Sequence, residues 1–141
     1  MTDHLAILKK HWLEKILAGE KTIESRWYKQ KRTPYQKISK GDSIYLKETG
    51  KPVTAQATVQ EALFFDALTE EKIRDILQRY GKQIGMGLDA VSKLLDKNYC
   101  TLVVLKEVES IQPFQINKQG FGNMAAWITV ENIEKIAKGN I

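Results

Sequence analysis

The sequence predicts an α+β domain in which five or six strands curl into a small β-barrel, with short helices between strands and a last helix at the C-terminus. Three observations lead there. Strand-like runs outnumber helical ones and do not alternate with them regularly, which argues against a doubly wound parallel sheet. The longest helical pattern is confined to one excursion, residues 69–95. The chain has 141 residues, 43% hydrophobic and 28% charged, which suits a single domain over 1–141 and does not suggest disorder.

The elements follow in order. His4 to Leu8 reads as a short strand. Trp12, Leu13, Ile16 and Leu17 recur at helical spacing, so a helix is expected over Lys10–Ala18, ended by Gly19 in a left-handed turn. Thr22 to Trp27 is β-rich, and Tyr28 to Lys40 is a basic connection. Gly41-Asp42 introduces a strand at Ser43–Leu46, and Thr49-Gly50-Lys51-Pro52 supplies turn chemistry for a hairpin. Val53 to Phe64 alternates for long enough to cross much of a barrel, with room for a bulge.

Thr69 is a candidate N-cap, with Glu70 and Glu71 suited to the first turn. Ile73, Ile76, Leu77 and Tyr80 form its apolar stripe, and Gly81 is expected to end it. A second short helix should turn Leu88, Val91, Leu94 and Leu95 inward. Tyr99–Val108 is the strongest β run, and Ile111–Ile116, with Pro113, reads as a separate edge strand. Lys118–Asn123 is expected to be a loop. Thr129 then caps the final helix, with Ile128 and Ile133 at staple spacing.

Charge is unevenly placed. The net charge is +5, yet residues 1–40 hold ten Lys/Arg against four Asp/Glu, and the remainder is close to neutral. Such a local positive field attracts phosphate-bearing partners, although a merely solvated basic surface has the same composition. No apolar run nears the roughly 20 residues of a membrane span. Met1 to Leu8 is too short and mixed for a secretory leader, and Cys100 has no partner for an internal disulfide. These features predict a cytoplasmic protein with no membrane association. His4 and His11 lack partners at metal-ligand spacing, so neither a metal nor another cofactor is expected.

The densest chemistry lies in Gly19-Glu20-Lys21-Thr22-Ile23-Glu24-Ser25-Arg26-Trp27. Glu24 and Arg26 are two apart on a strand and so share a face, with Lys21 at its entrance. Arg26 can grip a phosphate or carboxylate with two prongs. Lys21 can serve as a point charge, or as a base or nucleophile if its pKa falls. Glu24 can hold either cation or accept a proton. The alternative is a structural Glu24–Arg26 ion pair with Lys21 in solvent. Trp27, Tyr28 and Tyr35 interleave with Lys29, Lys31 and Arg32. Aromatic faces stack on unpaired bases, and the basic groups suit phosphates; the alternative is that Trp27 belongs to the core. Trp127 reads as a core anchor or as a cleft wall.

Gly19-x-Lys21-x-x-Glu24-x-Arg26 matches the G-x-K-x-x-E-x-R signature, and the chain resembles the ASCH domain family of the PUA-like group. Lys40-Gly41-Asp42 at a strand entry, the helical excursion and the late strand Tyr99–Val108 extend the likeness over essentially the whole chain. The resemblance implies a PUA-like β-barrel whose cleft is formed by Lys21, Glu24, Arg26 and Trp27 and binds RNA or a nucleoside. Lys29, Lys31, Arg32 and Tyr35 would serve as nucleic-acid contacts. One subgroup is an amidohydrolase that removes acetyl from N4-acetylcytidine, with a lysine at the place of Lys21 acting beside a threonine and a glutamate. Glu24 stands here where that threonine would be. Lys21 and Glu24 are thus the candidate catalytic pair, and a ribonuclease is the other enzymatic option the family offers.

Overall fold

The computed structural model describes residues 1–118 and 125–138. Its strands are β1 (Asp3–Leu8), β2 (Ile23–Tyr28), β3 (Ser43–Glu48), β4 (Val53–Phe65), β5 (Tyr99–Ile116), β6 (Trp127–Val130) and β7 (Ala137–Lys138). Its helices are α1 (Lys10–Leu17), α2 (Glu70–Ile84) and α3 (Val91–Leu94), the last preceded by a 3-10 turn at Leu88–Ala90. Six strands form a mixed sheet in the order β2-β5-β4-β3-β1-β6, and β7 pairs with the far end of β5. β1 and β3 run parallel, and the other pairs are antiparallel.

The sheet curls into a half-barrel. Alternation sends Ala6, Leu8, Ile44, Leu46, Ala55, Ala57, Val59, Val103 and Leu105 to its concave face, where α1 adds Leu13 and Ile16. The other face of β2 and β5 carries Ile23, Cys100 and Leu102 against Ile76 and Ile84 of α2. Burial pushes the Cys100 thiol pKa far up, consistent with a packing residue. A further cluster, with Leu5, Val53, Ile116, Ile128, Ile133 and Ile136, fastens the C-terminal segment to β1 and β4. β4 and β5 are long because they cross the curl, and three register shifts between them supply the bends.

Several expectations are corrected. Tyr99–Val108 and Ile111–Ile116 are one continuous strand, and the exposed Pro113 sits between positions that pair with β4. Gly81 does not end α2. It lies inside the helix, where the Met86 carbonyl comes to 2.5 Å from where a Cβ would stand and so excludes a side chain. The terminator is Gly85 (φ 87°), whose N–H donates to the Gly81 carbonyl. The expected C-terminal helix is replaced by β6, one 3-10 turn at Ile133–Lys135 and β7. Thr129 is a strand residue opposite His4, and Asn132 caps the single turn by accepting from the Glu134 N–H. Leu88 and Leu95, expected inward, are exposed, whereas Val91 and Leu94 are buried. In the expected loop Lys118–Asn123, all but Lys118 lies outside the described residues.

Candidate functional site

β2 and β6 are the two ends of the six-strand path, so the curl leaves a seam between β2 on one side and β1–β6 on the other. The candidate residues sit in this seam. Glu24 and Arg26 pair with Val103 and Thr101 of β5 and share one face of β2. Lys21 lies just before the strand, in the turn after α1.

The three charges touch. Glu24 Oε2 accepts from Arg26 Nε at 2.8 Å, with Nη2 at 2.7 Å. Glu24 Oε1 is 3.3 Å from Lys21 Nζ. Lys21 also donates to the Ile84 carbonyl at 2.6 Å, at the C-terminal end of α2, where the helix dipole favours a cation. Arg26 spans the seam. Its Nη2 donates to the Ile7 carbonyl and its Nη1 to the Ala126 carbonyl, both at 3.2 Å. One side chain thus ties β2 to β1 and to the segment entering β6. Little of its donor set is left for a two-pronged grip on a ligand.

All three are largely removed from water, with side-chain exposures of 3% for Lys21, 7% for Glu24 and 11% for Arg26. Burial lowers the Lys21 pKa, and the attraction of Glu24 only partly restores it. For Arg26, burial works against the charge, but Glu24 and Tyr28 together outweigh it, and the pKa rises.

Beside this triad lies a cleft of about 490 Å³. Lys21, Glu24 and Arg26 line it, with Ile7, Leu8 and Lys9 of the β1–α1 junction, Trp12 of α1, Ser25 and Trp27 of β2, and Met86. Trp12 is held from behind by Gly85 and lies over the Lys21 ammonium, 4.7 Å from ring centroid to Nζ. Trp27 Nε1 donates to Ser25 Oγ at 3.0 Å, which fixes the indole. Reading the sequence alone missed Trp12, Ser25 and Met86. Trp12 appeared only as one member of a helical stripe, and nothing local says that its ring faces a cleft.

A second polar cluster supports Arg26 from below. His4 is fully buried. Its Nε2 is 2.9 Å from Asp42 Oδ2, its Nδ1 is 3.1 Å from Thr129 Oγ1, and Trp127 Nε1 donates to that same Nδ1 at 3.2 Å. The indole N–H can only donate, so Nδ1 is an acceptor and Nε2 carries the proton toward Asp42. Burial lowers the His4 pKa, and Asp42 opposes it. Burial tends to raise the Asp42 pKa, but His4 and the Ser39 and Thr2 N–H groups bring it below the ordinary value. The Trp127 ring, oriented by this cluster, lies 5.1 Å from the Arg26 guanidinium carbon. Trp127 is therefore both a core residue and the floor under Arg26.

The remaining predicted contacts divide. Lys29, Lys31 and Arg32 are exposed. Tyr35 is only 6% exposed and packs in T-shaped contact with Phe64 and Tyr99, so it is a packing residue and presents little surface to a base. Among the described residues no group of three or more His, Cys, Asp or Glu is placed to hold a metal ion, and no helix is long and apolar enough to cross a membrane.

A scan against protein-family models gives no match, and neither does a search of curated proteins. Solved structures do match. The ASCH protein of Zymomonas mobilis aligns with a TM-score of 0.70 at 18% identity, over 94% of this chain and 90% of that one. Two single-residue variants of the same protein, a Tyr-to-Phe and a Ser-to-Ala mutant, give the same score and identity over 93% and 91% of their chains. The fold is thus an α+β half-barrel like that of the Zymomonas mobilis ASCH protein.

Proposed function

We propose that the seam cleft binds one unpaired base of an RNA, or a nucleoside. The observation that carries this reading is the cleft itself: about 490 Å³, within the range of small-ligand sites, lined by two tryptophans and by a buried lysine–carboxylate–guanidinium triad. Trp12 and Trp27 wall the cleft; Lys21 lies over the Trp12 ring and Trp27 packs on its inner side against the core beneath α2, so a base would meet their cleft-facing edges and remaining surface. Lys21 has spent two of its three N–H donors on Glu24 and Ile84, and the third can reach a base oxygen. Glu24 holds both cations in place. The basic first 40 residues add a field that draws phosphates toward this edge of the fold.

Tryptophan fluorescence titration with short single-stranded RNAs and with nucleosides tests the reading. Binding should quench fluorescence, and RNA affinity should fall as salt rises. Replacing Trp12 or Trp27 with alanine should each cost about 1–3 kcal/mol. No binding at low salt, or full affinity in the Trp12→Ala/Trp27→Ala double variant, refutes it.

One observation favours a second reading, hydrolysis of an acylated nucleoside. A buried lysine with a lowered pKa is suited to act as base or nucleophile. Lys21 would take a proton from water as it attacks the acyl carbon, and return it to the departing exocyclic nitrogen. Chromatography after incubation with N4-acetylcytidine separates the readings. Cytidine and acetate, formed by the native protein and not by Lys21→Ala, establish turnover; their absence leaves binding alone.

A further inference from the structure

We propose that Tyr28, Lys29, Arg32 and Lys97 form a phosphate subsite next to the cleft, so that the preferred ligand is a phosphodiester-linked nucleotide of a single strand rather than a free nucleoside. This rests on the nucleoside-binding reading of the cleft.

Continuity along β2 is the first argument. Glu24, Arg26 and Tyr28 alternate onto one face of the strand. Glu24 and Arg26 line the cleft. Tyr28 reaches back to influence Arg26 and forward to line a separate depression of about 320 Å³. Two residues of strand advance about 7 Å, a step that one sugar–phosphate unit can span. A strand with one base in the cleft can therefore carry its neighbouring phosphate to Tyr28.

Charge is the second. Tyr28, Lys29, Gln30, Arg32 and Lys97 line the depression, giving three cations and no carboxylate. The Arg32 guanidinium lies 5.7 Å from the Tyr28 ring centroid and is in no ion pair among the described residues. It lies within cation–π distance of the ring and its side chain makes no hydrogen bond or ion pair among the described residues, an arrangement open to phosphate oxygens.

Preorganisation is the third. Asn98 donates its backbone N–H to the Tyr28 carbonyl at 2.9 Å and its side-chain amide to the Lys29 carbonyl at 2.8 Å. Asp96 holds Lys29 at 3.1 Å and lies 3.8 Å from Lys97, so it positions both lysines from the rim. The cations are thus gathered before any ligand arrives. Lys31 lies outside this lining, over the Tyr35 ring.

The test compares cytidine, uridine, adenosine and guanosine with the four matching dinucleoside monophosphates by calorimetry or fluorescence at two salt concentrations. The dinucleotide should bind about tenfold or more tightly, as a charge-assisted contact to one phosphate provides. Its affinity should carry a salt slope near −0.7 per phosphate held. Arg32→Ala and Lys97→Gln should each abolish most of that gain and leave nucleoside affinity unchanged. Arg32 is exposed and Lys97 half-buried with its ammonium toward solvent-exposed Asp96, and the glutamine keeps much of the aliphatic stem, so these variants should fold. Nucleosides that bind and depend on Trp27, with no gain from the phosphate or none lost in Arg32→Ala, overturn the subsite and leave the cleft standing. Failure of every nucleoside and dinucleotide to bind overturns the cleft reading itself, and the subsite with it.

Discussion

Removing one negative charge from the seam should destabilise the fold more than almost any other isosteric change. Glu24→Gln keeps the shape of the side chain and one acceptor oxygen. It leaves two buried cations, Lys21 and Arg26, with no counter-charge, at exposures of 3% and 11%. Breaking a buried ion pair by removing one partner costs about 3–5 kcal/mol. The surviving amide oxygen can serve only one cation, so the glutamine variant should sit near the lower figure and Glu24→Ala near the upper. In a chain of this length that corresponds to a fall of roughly 10–20 °C in melting temperature.

The pH dependence gives the sharper check. Lys21 already has a lowered pKa from burial, and losing Glu24 removes the main influence holding it up. The unfolded chain then binds a proton that the native state does not, so stability rises with pH up to the unfolded lysine value of about 10.4. The cost of Glu24→Gln should therefore be smaller at pH 9.5 than at pH 7, as measured by urea melts. A cost under about 1 kcal/mol at pH 7, the level of a solvent-screened pair, or one that does not change with pH, refutes the argument.

Other outcomes follow from the same geometry. Arg26→Lys keeps the charge but cannot reach Glu24, Ile7 and Ala126 together; it should lower stability by about 2–4 kcal/mol and speed amide exchange at Ile7, read by hydrogen exchange. Gly85→Ala places a Cβ 3.0 Å from the Trp12 ring at φ 87°; it should cost about 1–2 kcal/mol in denaturant melts and shift the Trp12 emission. The native state holds His4 with a lowered pKa. The unfolded chain takes up the proton first, so stability should decline as pH falls below about 6.5. In His4→Gln that part of the pH profile, followed by urea melts between pH 7 and 5, should flatten.

Sequence order made the local elements legible and the joins between them less so. α2 was visible because its apolar stripe repeats and Thr69 caps it, accepting from the Lys72 N–H at 3.2 Å. Its end was misplaced because two glycines, Gly81 and Gly85, carry the same signal. Gly81 serves the close approach of the Met86 carbonyl five residues on, and Gly85 the left-handed end of the helix. The final segment misled for a similar reason. Thr129 and the Ile128/Ile133 spacing carry a helix-start signal, and one turn of 3-10 does form at Ile133–Lys135. Trp127 and Thr129, however, alternate as strand residues, because the pairing that fixes them is with β1, more than 120 residues away in the chain.

The site shows the same divide more sharply. Spacing alone put Glu24 and Arg26 on one face with Lys21 nearby, because that follows from the two-residue period of a strand. It could not show what Arg26 holds, since Ile7 and Ala126 reach the guanidinium only through the curl of the whole sheet. That curl decides the balance between architecture and chemistry in the triad. At the open seam of the half-barrel Arg26 donates to the Ile7 carbonyl and to the Ala126 carbonyl, which also accepts from the Ile7 N–H, while Glu24 neutralises it. Lys21 is then the triad member with a donor still unspent beside the cleft. Arg26→Lys and Lys21→Met should therefore part company. The first should act chiefly on stability. The second leaves Glu24 paired with Arg26, at the loss of one hydrogen bond to Ile84, so it should cost less stability than the first and act chiefly on nucleoside affinity, as melts and titration of the two variants would show.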